Sequence, residues 1–511
     1  MTDSTMQQLL ARLGSAGDLP DANVVNPTTG KLSYQVKQFS AAEVSSVAHR
    51  AREAAVSWRN TPVAVRSSVL LKLHDLMVKN QDKLLDLVQF EAGKSRASAF
   101  EDYAGALFAA RHFGKRAPKV LRLKKAKTDA PLFVKNFVDY PPVGLVGVVT
   151  PWNFPLALPA FDVLPALVAG NAVLHKPDNQ VTLCALFLRE LAEEAGLPRG
   201  VWEMVTGGAE TGNSVTDTVD YVAFTGSTAT GRIVAQRAAA RLIGCSLELG
   251  GKNPAIVLPS ASQLRGGLER AAEIVVAGSI GNAGQLCVSL ERCYVPAELR
   301  DAFIGALENE LGKQRLGKTK HYDTEIGSLA NANQLKRVTD LLADAVSKGI
   351  RVIGGKPHPE IGPFFLEPAL VLEPTDAATL NRGEVFGPVI QVYGYQTVEE
   401  AIERANDTEY GLNACVIGNP AEAMQVARQL QTGSVNINEG YRASFGSMSS
   451  PMGGVKSSGQ GRRNGDNGLL RFTEPRAIGV ASNVLRLPAK AENWKLIAPL
   501  LTTLSRVLRR L

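Results

Sequence analysis

The stretch SIGNAGQLCVSLERC, Ser279 to Cys293, puts two thiols six residues apart, Cys287 and Cys293. A thiol attacks as thiolate, so a reactive cysteine needs help from its surroundings. Five other stretches carry side chains that could give such help or hold a second reactant. VVTPWNFP places Asn153 just past an apolar run, where its amide could donate to a developing oxyanion. LELGGKNP carries Glu248 before the pair Gly250-Gly251, a carboxylate suited to act as general base to a thiol or a water. HKPDNQ sets Lys176 at the end of another apolar run, with Pro177 closing it, a place that suits a ribose or phosphate. FTGSTATG supplies Gly226 and Gly231 for close backbone approach and Ser227 at a helix start, where free N–H groups can hold a phosphate. It is neither a Walker A loop, since Arg232-Ile233 follow Gly231, nor G-x-G-x-x-G. EVFGPV offers Glu384 to hydroxyl groups and Phe386 to a flat ring. Alone, each has an ordinary reading as a turn residue or a solvated charge.

These residues need elements to aim them. From Ala41 to His112 apolar residues recur at three- and four-residue spacing, which predicts helices. RLKKAKTDAPLFVKNFVDYPP then reads as a charged, two-stranded excursion ending at Pro141-Pro142. After it GLVGVVTP, NAVLHKP, VWEMVTG and VDYVAFTG read as strands, separated by helical segments such as VTLCALFLRELAEEAG. That alternation implies parallel pairing and a doubly wound sheet. A second series begins near Gly250 with NPAIVLP, a helix through Ala277, and ERCYVP.

The chain's 511 residues exceed one compact core, so two or three domains are expected. The net charge of +7 is mild and its cations are interspersed with acids, which does not indicate nucleic acid. Five cysteines, an odd number without C-x-x-C spacing, favour neither a disulfide framework nor a zinc knuckle and fit a reducing cytoplasm. The start, MTDSTMQQLLARLGSAGD, does not read as a signal peptide. No apolar run is long enough to span a membrane.

Taken together and in this order, TPWNFP, HKP, FTGST, LELGGK, GQLC, EVFGP and PMGGVKSSGQGR closely resemble the aldehyde dehydrogenase superfamily. The resemblance runs from about Asn26-Pro27 to Arg476. It implies that Cys287 is the nucleophile, Asn153 an oxyanion donor and Glu248 the base that activates water, with no metal needed. It also implies that Lys176 meets the adenosine ribose, Ser227 the pyrophosphate and Glu384 the nicotinamide ribose. Phe386 would pack nearby, with Thr150, Pro151, Trp152, Gly226 and Gly250 lining the nucleotide side. The implied α/β fold has an atypical Rossmann cofactor domain (1–119 and 142–249) and a catalytic domain (250–438). An oligomerisation hairpin (120–141 and 466–487) and a C-terminal amphipathic helix (488–511) complete it. A homodimer or homotetramer follows from the hairpin.

Within the superfamily, KPDNQ, NAGQLCVSLER and NEGYRASFGSMSSPMGGVKSSGQGRR resemble actinobacterial NADP-type succinate-semialdehyde dehydrogenases. Better understood enzymes of that name often carry two carboxylate-binding arginines, where this chain has Phe161 and Gly281. Arg442 or Arg292 would have to supply the missing cation, and an apolar or aromatic aldehyde is the rival substrate. A CoA-acylating dehydrogenase and a non-catalytic relative are further alternatives; Glu248 argues for water as the acyl acceptor. Asn179 stands where NAD-preferring relatives commonly have glutamate, so NADP is expected and NAD possible, with Asp178 as the contrary charge. Lastly, NWKLIAPLLTTLSRVLRRL aligns Trp494, Ile497, Leu501, Leu504, Leu508 and Leu511 along one stripe, with Arg506, Arg509 and Arg510 clustered late. Packing of that stripe on the enzyme's own surface or on a partner subunit is expected ahead of an anionic membrane.

Overall fold

Strands that are apolar on both faces must be covered on both, and here two such sheets form. The computed structural model describes residues 3–13, 19–129, 133–483 and 487–509. After a small hairpin of β1 (Ala22–Val25) and β2 (Leu32–Val36) come four helices, Ala41–Asn60, Val63–Lys79, Gln81–Ala92 and Arg96–Val120. The first of these begins with a capping box, Ser40 Oγ accepting from the Glu43 N–H and the Glu43 carboxylate from the Ser40 N–H.

The first large sheet contains β5 (Leu145–Thr150), β6 (Ala172–Pro177), β7 (Trp202–Met204), β8 (Tyr221–Thr225), β9 (Gly244–Glu248) and β17 (Gly459–Gln460). Its order is β17-β9-β8-β5-β6-β7, parallel except for β17. Chain order therefore runs outward in both directions from the β5/β8 neighbours, and a crevice opens at the carboxyl ends of strands at such a reversal. β17 lies outside the segments expected for this domain; it arrives from 211 residues beyond β9, Gly459 pairing with Glu248.

The second sheet has β10 (Asn253–Val257), β11 (Leu290–Pro296), β12 (Arg351–Gly354), β13 (Ala369–Leu372), β14 (Val389–Tyr395), β15 (Cys415–Ile417) and β16 (Asn436–Ile437). Its order is β12-β13-β14-β11-β10-β15-β16, with only β12 antiparallel to its neighbour. The excursion before Pro141-Pro142 contributes two antiparallel strands, as its pattern implies. β3 (Lys124–Ala126) and β4 (Val134–Asp139) are joined by β18 (Arg476–Ala481), a third strand from the 466–487 segment that the resemblance groups with them. Residues 130–132 of the excursion lie outside the described residues.

Candidate active site

Cys287 stands on the turn between the Gly267–Ile280 helix and β11. The approach to it is an unusual one, because Asn282, Ala283 and Gly284 all take left-handed backbone angles, φ 51°, 55° and 70°. Gly284 is required there: a Cβ would lie 2.0 Å from the Gly387 carbonyl oxygen, so the thiol loop abuts the EVFGPV loop directly. The Cys287 carbonyl accepts from Asn253 Nδ2 at 2.8 Å, and Gln285 fastens the loop further by accepting from the Ala330 N–H at 2.9 Å.

A cavity of about 170 Å³ is lined by Cys287, Glu248, Asn153, Thr225, Ser227 and Phe386, among others. Pro151, Trp152, Gly226, Gly250 and Glu384 also face it. Asn153 follows β5 and donates from Nδ2 to the Gln285 carbonyl at 3.0 Å, while its Oδ1 is buried without a hydrogen-bond partner. Glu248 closes β9, also with a buried, unpartnered Oε1. Burial pushes its carboxyl up to about 7, against the opposing pull of Arg463 and Arg471. Cys287 is pushed up to about 12, first by burial and then by Glu248 and Glu384, and Arg463 again opposes. The site at rest thus holds a neutral thiol beside a carboxyl poised near neutrality. Glu384 is likewise raised to about 7 by burial and Glu291, and it accepts from the Gly251 N–H at 3.0 Å. A Cβ on Gly250 would lie 2.5 Å from Glu384 Oε2, which explains the glycine at that position.

The crevice at the chain reversal suits a dinucleotide. Ser227 caps the Thr228–Ala240 helix by accepting from the Thr230 N–H, leaving that helix's first amides at the cavity edge. Thr150 ends β5 with its hydroxyl 2.9 Å from His175 Nε2. Lys176 is buried at the end of β6, Nζ 3.4 Å from the Pro177 carbonyl. Asp178 accepts from the Gln180 N–H at 2.9 Å, and Asn179 Oδ1 accepts from the Gly207 N–H at 2.9 Å. Asn179 is therefore oriented with its amide oxygen occupied. Phe386, at φ +57°, meets Trp152 edge-on with centroids 5.6 Å apart.

None of the three expected substrate contacts, Phe161, Arg442 and Arg292, is among the residues that line the cavity. Phe161 is fully buried and lies edge-on to Phe445, which also meets Phe154. Arg442 pairs with Glu101 at 2.6 Å and lies over the Tyr441 ring. Arg292 does not reach this cavity. It points to the far side of β11, where its donors are spent on the carbonyls of Lys252, Arg404 and Ala405. The sequence alternation could not reveal that direction, because every residue of β11 is buried.

Two buried charge clusters went unnoticed in the sequence. Lys252 Nζ lies 2.6 Å from Glu291, and Glu291 accepts the N–H groups of Val385 and Phe386, holding the EVFGPV loop in place. Asp162 receives both Arg463 and Arg471. Burial alone would raise Asp162, but the two guanidinium groups hold it below the usual carboxylate range. Lys252 and Glu291 sat within the quoted LELGGKNP and SLERC stretches, whereas a pair 301 positions apart leaves no local signal. Among the described residues no three His, Cys, Asp or Glu side chains converge as a metal site would require.

With this geometry in view, the comparisons are consistent. The aldehyde dehydrogenase family profile matches residues 15–478, and the chain belongs to that family of oxidoreductases. It is 43% identical over 462 residues, 90% of this chain and 88% of the relative, to a Mycolicibacterium smegmatis protein provisionally named succinate-semialdehyde dehydrogenase (NADP(+)). It is 36% identical over 458 residues, 88% of this chain and 92% of the relative, to the glutarate-semialdehyde dehydrogenase of Pseudomonas aeruginosa. A Mycobacterium tuberculosis aldehyde dehydrogenase solved with NAD+ superposes with a TM-score of 0.85 at 32% identity, covering 91% of this chain and 95% of that one.

Proposed function

We propose that this chain oxidises a small semialdehyde to its acid with NADP, NAD being the lesser cofactor, and that Cys287 is the nucleophile. The observation that carries the reading is the convergence of Cys287, Glu248 and Asn153 on one cavity at the mouth of the nucleotide crevice. Cys287, once ionised, adds to the aldehyde carbonyl. Asn153 Nδ2 and the Cys287 backbone N–H donate to the oxyanion that forms. The nicotinamide ring, when bound, supplies the hydride acceptor. Collapse of the adduct leaves a thioester on Cys287, and Glu248 takes a proton from the water that hydrolyses it. Lys176 and Asn179 would hold the adenosine ribose and its 2′-phosphate, Ser227 and the Thr228–Ala240 helix the pyrophosphate, and Glu384 the second ribose.

A dicarboxylic semialdehyde, succinate semialdehyde first, is favoured by the names of the relatives, with Arg442 as the one expected cation near the Tyr441–Phe445 segment. A second reading, an apolar or aromatic aldehyde, is supported by the ring cluster of Phe154, Phe161 and Phe445. The deciding experiment is a substrate panel with both cofactors, following nicotinamide reduction at 340 nm (a standard wavelength, about where the reduced ring absorbs). A kcat/KM at least about tenfold higher for succinate or glutarate semialdehyde than for benzaldehyde or hexanal supports the first reading. The reverse order establishes the second.

The exposed β18 edge further supports homo-oligomerisation through the three-stranded sheet, as a dimer or tetramer, which light scattering on the purified protein tests. Five free cysteines support a cytoplasmic setting.

A further inference from the structure

The helix Trp494–Leu508 belongs to none of the hydrophobic core clusters among the described residues. It also lies beyond the family match, which ends at residue 478. Of the two expectations from sequence, own-surface or partner-subunit packing, the first is met only in part, with Ile497, Leu501 and Leu504 half-buried. Its recorded side-chain hydrogen bonds are internal, Thr502 to the Ala498 carbonyl and Thr503 to that of Pro499. At 100° per residue, Leu496, Ile497, Leu500, Leu501, Leu504 and Val507 share one face, and Lys495, Thr502, Arg506 and Arg509 the opposite one. Leu496 is 80% exposed, Val507 51%, Leu500 49% and Trp494 40%, so one side of the apolar stripe is uncovered. Arg510 and Leu511 continue the pattern in the sequence but lie outside the described residues.

We propose that this helix is an interfacial anchor that lies flat on an anionic lipid bilayer. The charge distribution selects that occupant. From Lys490 to Leu511 the cations are Lys490, Lys495, Arg506, Arg509 and Arg510, and Glu492 is the lone acid. A leucine-rich face with a tryptophan at its first turn, backed by a basic face free of acids, matches the headgroup boundary of an anionic leaflet. Against a partner protein that basic face would only be solvated, whereas on an anionic leaflet its cations are also attracted to the headgroups. No helix among the described residues is long and apolar enough to cross a membrane, so the association is with the surface.

The test is co-sedimentation of the full chain with vesicles of phosphatidylcholine alone or with about a third phosphatidylglycerol, the proportion chosen to give a strongly negative surface. Anionic vesicles should pellet the enzyme at least about tenfold more effectively than neutral ones, and 0.5 M salt (about threefold above a physiological level) should release most of it. Leu500→Glu with Leu504→Glu should abolish pelleting while leaving aldehyde oxidation in solution and the mass by light scattering unchanged. A native enzyme that stays in the supernatant with anionic vesicles overturns the proposal, and so does salt-insensitive pelleting. A variant that pellets like the native protein overturns it too. If the double variant instead lowers the oligomeric mass, the stripe is a contact between copies and the proposal fails. Because the salt release is measured on the native protein, the proposal stands or falls even if the double variant does not fold.

Discussion

Cys287 and Cys293 are the same chemical group in opposite surroundings. Cys287 faces the cavity shared with Glu248 and Asn153, whereas Cys293 is enclosed in β11 among the apolar residues of the second sheet. Burial pushes both thiols upward, but only Cys287 has a carboxyl and a guanidinium group near enough to act on it. Cys287→Ala should therefore abolish aldehyde oxidation and Cys293→Ala should retain most of it; equal loss in two folded variants would reject the assignment. Glu248 yields a test on pH. Its folded value of about 7 lies above the 4.5 of an exposed glutamate. As pH rises past 4.5 the unfolded chain ionises first, so native stability falls until about pH 7 and the cost is constant beyond it. Glu248→Gln should thus stabilise the fold at pH 8 by up to about 3 kcal/mol and by little at pH 4, as read by denaturant melts. The same variant should slow deacylation, keeping the first turnover while a thioester accumulates on Cys287 in rapid-quench mass spectrometry. Loss of the first turnover would mean that Glu248 chiefly ionises the thiol. The turnover of the native enzyme should rise through pH 7, and that limb should flatten in the variant.

At the scale of elements, strand ends hold the candidate residues, and strand ends are what the sequence displays best. Asn153, Lys176, Ser227 and Glu248 each follow an apolar run whose period and terminating proline or glycine are local. Asn179 is a case in which position alone carries a prediction. A glutamate there would repel a 2′-phosphate, whereas an amide whose oxygen is tied to Gly207 presents its NH₂ group as a donor. Asn179→Glu should lower the NADP-to-NAD ratio of kcat/KM by roughly ten- to a hundredfold. A native preference for NAD that the substitution does not move would reject this role. What the sequence hid was non-local or directional. β11 is buried throughout, so nothing in its pattern indicated that Arg292 would turn toward Lys252 and away from the thiol. The amphipathic stripe at the C-terminus was legible, but amphipathicity does not reveal what covers the apolar face, and none of the hydrophobic cores among the described residues includes it.

For the whole molecule, the telling feature is the late return of the chain to its first sheet. β17 pairs with β9 beside Glu248, and Arg463 and Arg471 reach Asp162 on the Ala157–Ala169 helix. Asp162 and Arg463 are both fully buried, so removing one charge leaves the other stranded. Asp162→Asn should cost about 3–5 kcal/mol, seen as a fall in thermal midpoint, and should lower the Glu248 carboxyl, which the Asp162 charge helps to raise. A variant that melts like the native protein would show the cluster to be solvated. The return also divides the molecule in time. The ribosome releases Glu248 and Asp162 long before residues 459–471 exist, a lag of 215 residues between Glu248 and Arg463. At ordinary elongation rates that is roughly 10–40 s in which the first sheet has an open edge and its buried carboxylate has no counter-charge. The half of the enzyme made first is therefore completed last. A fragment ending at residue 258 should not fold cooperatively on its own, and a nascent chain stalled there should be a substrate for chaperones.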